Sequence, residues 1–123
     1  MKRVLIIEDN EKNLKLVRDV LQAKGFATME AFSAEEGLAL AKAHAFDLVL
    51  MDIQLPGMNG IEALRHLRAD PGTRGIPVAA VTASVTLQDQ SQITDAGFDG
   101  FVSKPISLKG FLATVNRLLG TPP

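Results

Sequence analysis

The chain has 123 residues, of which 46% are hydrophobic and 22% charged, which fits one domain around one packed core. A formal net charge of -1 without any basic block excludes nucleic acid as a direct partner, because neutralising phosphates needs concentrated cations. Cysteine is absent, so disulfides and thiolate metal sites are excluded, and no apolar run is long enough for a membrane span or a signal peptide; the expected setting is the cytoplasm, with no membrane partner.

Short apolar runs alternate with longer segments of helical period. Val4–Ile7 is continuous and rich in β-branched residues, as expected of a strand buried on both faces. Leu14, Leu16, Val17, Val20 and Leu21 then recur at helical spacing, and Gly25 ends that helix. Ala27–Phe32 is a weaker strand. Ser33 and Glu36 form the pattern of a capping box for a helix that uses Leu38, Leu40, Ala41 and Ala45. Leu48–Met51 is the second strong apolar run. Asn59 caps the next helix, with Glu62 at its third position and Ile61, Leu64 and Leu67 facing inward, and Asp70-Pro71-Gly72 turns the chain.

Ile76–Val81 reads as the fourth strand, with Pro77 near its start, where a missing N–H is tolerated. Val85–Ala96 is a helix poor in apolar residues, mainly Leu87 and Ile93, closed by Gly97. Gly100–Ser103 is a short fifth strand. Ser107 caps a last helix with an amphipathic stripe of Leu108, Phe111, Leu112, Val115, Leu118 and Leu119, ended by Gly120. The reading is one α/β domain over residues 1–120 with a tail at 121–123. It is a doubly wound (βα)5 unit, a parallel five-stranded sheet with helices on both faces.

The polar residues fall in a pattern. Glu8 and Asp9 follow the first strand, Asp52 the third, Thr82 the fourth and Lys104 the fifth. All five therefore belong to the C-terminal ends of parallel strands, where open α/β sheets place their ligands. With strand order 2-1-3-4-5 the crevice opens between strands one and three and gathers Glu8, Asp9 and Asp52. Three carboxylates cannot share a crevice as anions without a cation or a proton. Oxygen ligands with open positions favour Mg²⁺, or Mn²⁺ in its place. Lys104 adds a point charge suited to a phosphoryl oxygen, and Thr82 a hydroxyl that can donate to another. Together these groups suit phosphoryl transfer, with a carboxylate as nucleophile. Taken singly, each has a plainer reading as a cap, a turn residue or a solvated charge. Their coincidence at one end of one sheet is what singles them out.

Four segments carry a resemblance: Val4-Leu5-Ile6-Ile7-Glu8-Asp9-Asn10, Leu50–Gly60 around Asp52, Val81-Thr82-Ala83, and Phe101-Val102-Ser103-Lys104-Pro105-Ile106. In this order they resemble the receiver domains of response regulators, a flavodoxin-like fold. With Asn13, the pattern is most similar to single-domain regulators and receivers of hybrid histidine kinases. The resemblance implies that Asp52 is the phosphoacceptor and Asp9 a metal ligand, helped by Glu8, with the backbone carbonyl of Gln54 completing the shell. It implies that Lys104 pairs with the phosphoryl group and that the Lys104-Pro105 bond is cis. Thr82 and Phe101 match the family's switch pair. A histidine kinase or histidine phosphotransfer protein is the implied donor, and the face of the fourth helix, fifth strand and fifth helix the implied partner surface. The chain would then be a phosphoacceptor switch rather than an enzyme.

Two positions depart from the family's habit. Phe101 stands where an aromatic hydroxyl is common, and Glu8 where Asp is commoner. Gln54 and Ser84 occupy positions that tune water access to the phosphoryl group. Three rivals are weighed against this reading. A phosphatase of the haloacid dehalogenase type needs a second acid two residues after the nucleophile, where this chain has Gln54. A flavin-binding module leaves the acids unexplained. A degenerate receiver would not need Glu8, Asp9, Asp52, Thr82 and Lys104 together.

Overall fold

In a strand buried on both faces, successive side chains feed two different cores. The computed structural model, which describes residues 1–83 and 86–121, shows this directly. Its strands are β1 (Arg3–Ile7), β2 (Ala27–Ala31), β3 (Leu48–Asp52), β4 (Val78–Thr82) and β5 (Gly100–Ser103). Its helices are α1 (Glu11–Ala23), α2 (Ala34–Ala43), α3 (Gly60–Ala69), α4 (Leu87–Ala96) and α5 (Leu108–Leu119). The sheet is parallel throughout, in the order β2-β1-β3-β4-β5. Leu5, Ile7, Val49, Met51, Val78 and Ala80 pack with Leu64, Leu67 and Ile93 under α2, α3 and α4. Val4, Ile6, Leu48, Leu50, Ala79 and Val81 pack with Leu14, Leu21, Phe111 and Val115 under α1 and α5. The fold is the expected doubly wound, flavodoxin-like one. Among the described residues no helix is long and apolar enough to cross a membrane.

Several boundaries differ from the sequence reading. β3 and β4 each run one residue further, so Asp52 and Thr82 are the last residues of their strands rather than the first beyond them. Their pairing to the neighbouring strand continues because both are buried. β4 starts at Val78; Ile76 and Pro77 precede it, and Pro77 contributes only its carbonyl, accepting from the Val49 N–H at 3.0 Å. Phe32 falls outside β2 and is 49% exposed. Ala45 lies beyond α2 and is exposed, since the helix faces the sheet with Ala34, Gly37 and Ala41.

Capping also differs. Ser33 and Asn59 accept from the N–H of Glu36 and Glu62 as expected. Ser107 occupies the cap position of α5 but makes no side-chain cap bond. Asn10 and Thr86 cap α1 and α4 and were not anticipated. Leu87 is 84% exposed, leaving Ile93 as the one buried residue of α4. Val85, Ser84 and the tail residues Pro122 and Pro123 lie outside the described residues. Thr121, the first residue of the expected tail, is tied back: its hydroxyl donates to Asn116 Oδ1 at 2.7 Å.

Gly60 lets the loop after β3 turn tightly into α3. A Cβ there would stand 2.8 Å from both the Asp52 carbonyl oxygen and the Ile53 Cα, which are backbone atoms that cannot swing aside. Gly60→Ala is therefore expected to destabilise the fold by roughly 1–3 kcal/mol. Gly110 sits within α5, where the nearest contact to an added Cβ is 3.9 Å. Gly110→Ala is expected to stabilise by about 0.5–1 kcal/mol. Urea denaturation of both variants checks the contrast; equal shifts would contradict it.

Candidate functional site

Because all strands are parallel, their C-terminal ends share one edge of the sheet. Glu8 follows β1 there, and its N–H is held by the Ala31 carbonyl at 3.0 Å. Asn10, capping α1, accepts from the N–H groups of Lys12 and Asn13 and donates its own N–H to Glu8 Oε2 at 3.3 Å. The helix cap thus also fixes the Glu8 carboxylate. The sequence signal for it was an Asn directly before a helical repeat. Asp52 ends β3, and its Oδ1 accepts the Gln54 N–H at 2.9 Å. Lys104 follows β5. Its N–H donates to the Thr82 carbonyl at 2.8 Å, and the Lys104-Pro105 bond is cis.

The side chains converge. Lys104 Nζ lies 3.0 Å from Asp52 Oδ2 and 3.1 Å from Glu8 Oε1. Glu8, Asp9 and Asp52 each offer a carboxylate oxygen, all within 4.8 Å of one another. Glu8 and Asp52 are buried and Asp9 is exposed, so the cluster is closed below and open to solvent at Asp9. Thr82 is buried on the face of the sheet that carries Ala80 and Val78. Phe101 pairs with Ala80 and packs half-buried against the same core. The two switch candidates therefore share one face, two residues apart in register, with the small Ala80 the register partner of Phe101. Gln54 is exposed beside Asp52. His44 and His66 are exposed and lie outside the cluster, as expected. Ser84 lies outside the described residues.

The charges explain the chemistry of the cluster. Without a divalent cation, burial pushes the Glu8 carboxyl up from 4.5 to about 7, with the hydrogen bond and charge of Asp52 adding to the rise and Lys104 opposing it. Burial also works against the Asp52 anion, but hydrogen bonds from Glu8, Lys104 and the Gln54 N–H outweigh it and hold this carboxyl below its usual range. Burial disfavours the Lys104 ammonium, and the hydrogen bonds to Asp52 and Glu8 overcome that and raise it. At neutral pH, Asp52 is an anion, Lys104 a cation, and Glu8 shares a proton with its surroundings. One lysine does not neutralise two buried carboxylates. The donors are all hard oxygens, converge within a few ångströms, and open on one side. They fit a small hard divalent cation.

The raised Glu8 sets a pH dependence. Between 4.5 and about 7 the folded chain holds more protons at Glu8 than the unfolded chain, so rising pH favours unfolding. In EDTA, this group is expected to cost roughly 2–3 kcal/mol of stability as pH rises through that window. Glu8→Gln should flatten the profile, as should saturating Mg²⁺. Urea titrations from pH 4.5 to 7.5 read the slope; identical slopes for Glu8→Gln and the parent would contradict the assignment.

Comparison with known proteins agrees with this geometry. Residues 4–116 match the model of the response regulator receiver domain. The chain is 45% identical over 119 residues to the polar-differentiation response regulator DivK of Brucella ovis, covering 97% of each chain. Its structure is similar to chemotaxis protein CheY4 of Vibrio cholerae, with a TM-score of 0.90 and 26% identity over 97% of this chain and 99% of that one. It is also similar to the receiver domain of a sensor histidine kinase from Pseudomonas aeruginosa, solved with a magnesium ion coordinated in its active-site cleft; the TM-score is 0.89 with 26% identity over 98% of both chains. The chain belongs to the response regulator receiver domain family of two-component signalling, whose members are phosphoacceptor switches that carry their phosphoryl group on an aspartate.

Proposed function

We propose that this receiver accepts a phosphoryl group on Asp52 with Mg²⁺, and that Thr82 and Phe101 turn that event into a change of its partner-binding face. The observation that carries the reading is Lys104 held 3.0 Å from Asp52 and 3.1 Å from Glu8, with Asp9 within reach. Asp52 is held below its ordinary range while the neighbouring Glu8 is pushed up, so of these two Asp52 is the available nucleophile. An Asp52 oxygen attacks phosphorus in line. The bond from phosphorus to the donor's imidazole nitrogen breaks, and that nitrogen keeps the electron pair and takes a proton.

Glu8, Asp9, Asp52 and the backbone carbonyl of Gln54 would hold the cation, with Mn²⁺ able to substitute. When bound, it neutralises charge on the phosphoryl oxygens and offsets the surplus of carboxylates. Lys104 pairs with a phosphoryl oxygen once Asp52 is esterified. The phosphoryl group adds roughly −1.5 to −2 of charge and strong acceptor oxygens. The Thr82 hydroxyl moves to donate to one of them, and Phe101 turns into the space beside Ala80. Phe101 also lines two grooves on the α4, β5 and α5 face. One of about 430 Å³ is shared with Phe98, Thr114 and Arg117, and one of about 310 Å³ with Pro105 and Phe111. That face is the proposed meeting surface for a downstream protein.

The donor is a histidine kinase or a histidine phosphotransfer protein. The chain assists its own phosphorylation and dephosphorylation and turns over no separate substrate. A phosphatase reading lacks an acid at Gln54. Incubation with Mg²⁺ and acetyl phosphate should add one base-labile phosphoryl group by intact mass. Omitting the metal, or substituting Asp52→Asn, should abolish the label. Label persisting on Asp52→Asn would refute the assignment, and sustained turnover of p-nitrophenyl phosphate would favour the phosphatase.

A further inference from the structure

α5 carries two stripes along its length. Phe111, Val115 and Leu119 are buried and serve the core. Lys109, Leu112, Ala113 and Asn116 stand at i, i+3, i+4 and i+7, a second face that the core covers only in part. Opposite this face are Lys24 and Phe26, where α1 turns into β2. That turn is fixed. Gly25, at φ +89°, donates its N–H to the Gln22 carbonyl at 3.0 Å, and Phe26 donates to the Leu21 carbonyl at 3.0 Å. Thr121 closes the far end, its N–H donating to the Asn116 carbonyl at 3.0 Å and its hydroxyl to Asn116 Oδ1 at 2.7 Å. Between these elements runs a groove of about 570 Å³ with Phe26, Leu112 and Ala113 as its apolar lining.

The charges of the groove have one sign. Lys24 and Lys109 are its ionisable lining residues, both are exposed, and among the described residues neither makes an ion pair. The sequence has no Asp or Glu after Asp99, so α5 brings no acid to the groove. The groove also stands apart from the phosphoacceptor site. Phe26 directly precedes β2, which places the groove near the edge of the sheet where strands begin, whereas Asp52 ends β3 at the other edge. The two grooves that Phe101 lines lie on the other flank of α5, at Thr114.

We propose that this groove is a second docking site, which takes an acidic amphipathic helix of a partner protein. The apolar stripe of that helix lies on Phe26, Leu112 and Ala113, and Asp or Glu residues on its flanks meet Lys24 and Lys109. A helix suits the groove better than a small molecule does. Small-ligand sites depend on polar groups that converge on the ligand, and here Thr121 and Asn116 Oδ1 are engaged with each other. What is left is an apolar lining two helical turns long with a cation on each side. That arrangement selects an apolar stripe flanked by acids and rejects one flanked by bases. The lining includes neither Asp52, Thr82 nor Phe101, so docking is the same with and without a phosphoryl group. The site is then a tether that holds the chain to its partner whatever the state of the switch, and it does not depend on the acceptor reading of Asp52.

Two helical peptides of about fourteen residues test this, sharing one Leu and Phe stripe and carrying either Glu or Lys on its flanks. Each is titrated into the nitrogen-15-labelled full chain while amide resonances are followed. The Glu peptide is expected to shift Phe26, Leu112, Ala113 and Asn116 and to bind about tenfold more tightly than the Lys peptide, a gap that narrows in about 0.5 M salt. Lys24→Glu combined with Lys109→Glu should weaken the Glu peptide about tenfold, while the two Arg replacements should leave it bound. All of these positions are exposed, and Ala113→Glu, exposed as well, should weaken it too. Equal binding of the two peptides, no binding at about 1 mM, or shifts confined to another face would overturn the proposal. Self-association of the chain through the same amides, lost in Lys109→Glu, would make a second copy the occupant instead. Binding to phosphatidylglycerol vesicles without binding of the Glu peptide would make it a membrane surface. A change in affinity of more than about twofold on adding Mg²⁺ and beryllofluoride would overturn the independence from phosphorylation.

Discussion

Two buried carboxylates compete for one ammonium. Glu8 and Asp52 come from adjacent strands that end at the same level, and Lys104 stands 3.1 and 3.0 Å from them. Burying a charge costs several kcal/mol unless its partners are well placed, and one lysine cannot satisfy two anions. The arrangement therefore resolves unequally. Asp52 keeps its charge, Glu8 is pushed to about 7, and the surplus negative charge calls for a cation. A site with that imbalance is prepared for a metal and for a phosphoryl group whose oxygens Lys104 can follow.

The fold exists to hold those strand ends in register. Alternate residues of β1, β3 and β4 feed two separate cores, so a slip of one residue would exchange both of them. Asp52 and Thr82 sit at the last position of fully buried strands, where the core fixes the backbone and the side chain meets solvent-facing loops. Beyond those strand ends, α4 presents one buried residue, and the opposite end of the same layer is tied by Arg68 and Asp99.

The sheet order, the two helical layers and the gathering of Glu8, Asp9, Asp52 and Lys104 could be read from the sequence, because each depends on a strong pattern. Continuous apolar runs mark buried parallel strands, and polar residues that interrupt them fall at one edge. Where the reading failed, the deciding interaction was not local. Leu87 looked like core because it is a leucine, yet the helix turns it outward to 84% exposure. Ser107 looked like a cap, yet its hydroxyl makes no cap bond. Asp52 and Thr82 looked like loop residues because polar side chains usually end strands, yet pairing with β4 and β5 carries each strand through them. The Arg68–Asp99 contact joins residues 31 apart in the chain, and nothing in either segment announces the other.

The most direct test of the central claim is to find the residue that carries the phosphoryl group. After phosphorylation with Mg²⁺ and acetyl phosphate, borohydride reduces an aspartyl phosphate to homoserine, and peptide mass spectrometry locates it. The account requires homoserine at position 52 and at no other acid, Glu8 and Asp9 included. A modified residue elsewhere, or a phosphorylated chain with Asp52 intact, would contradict it.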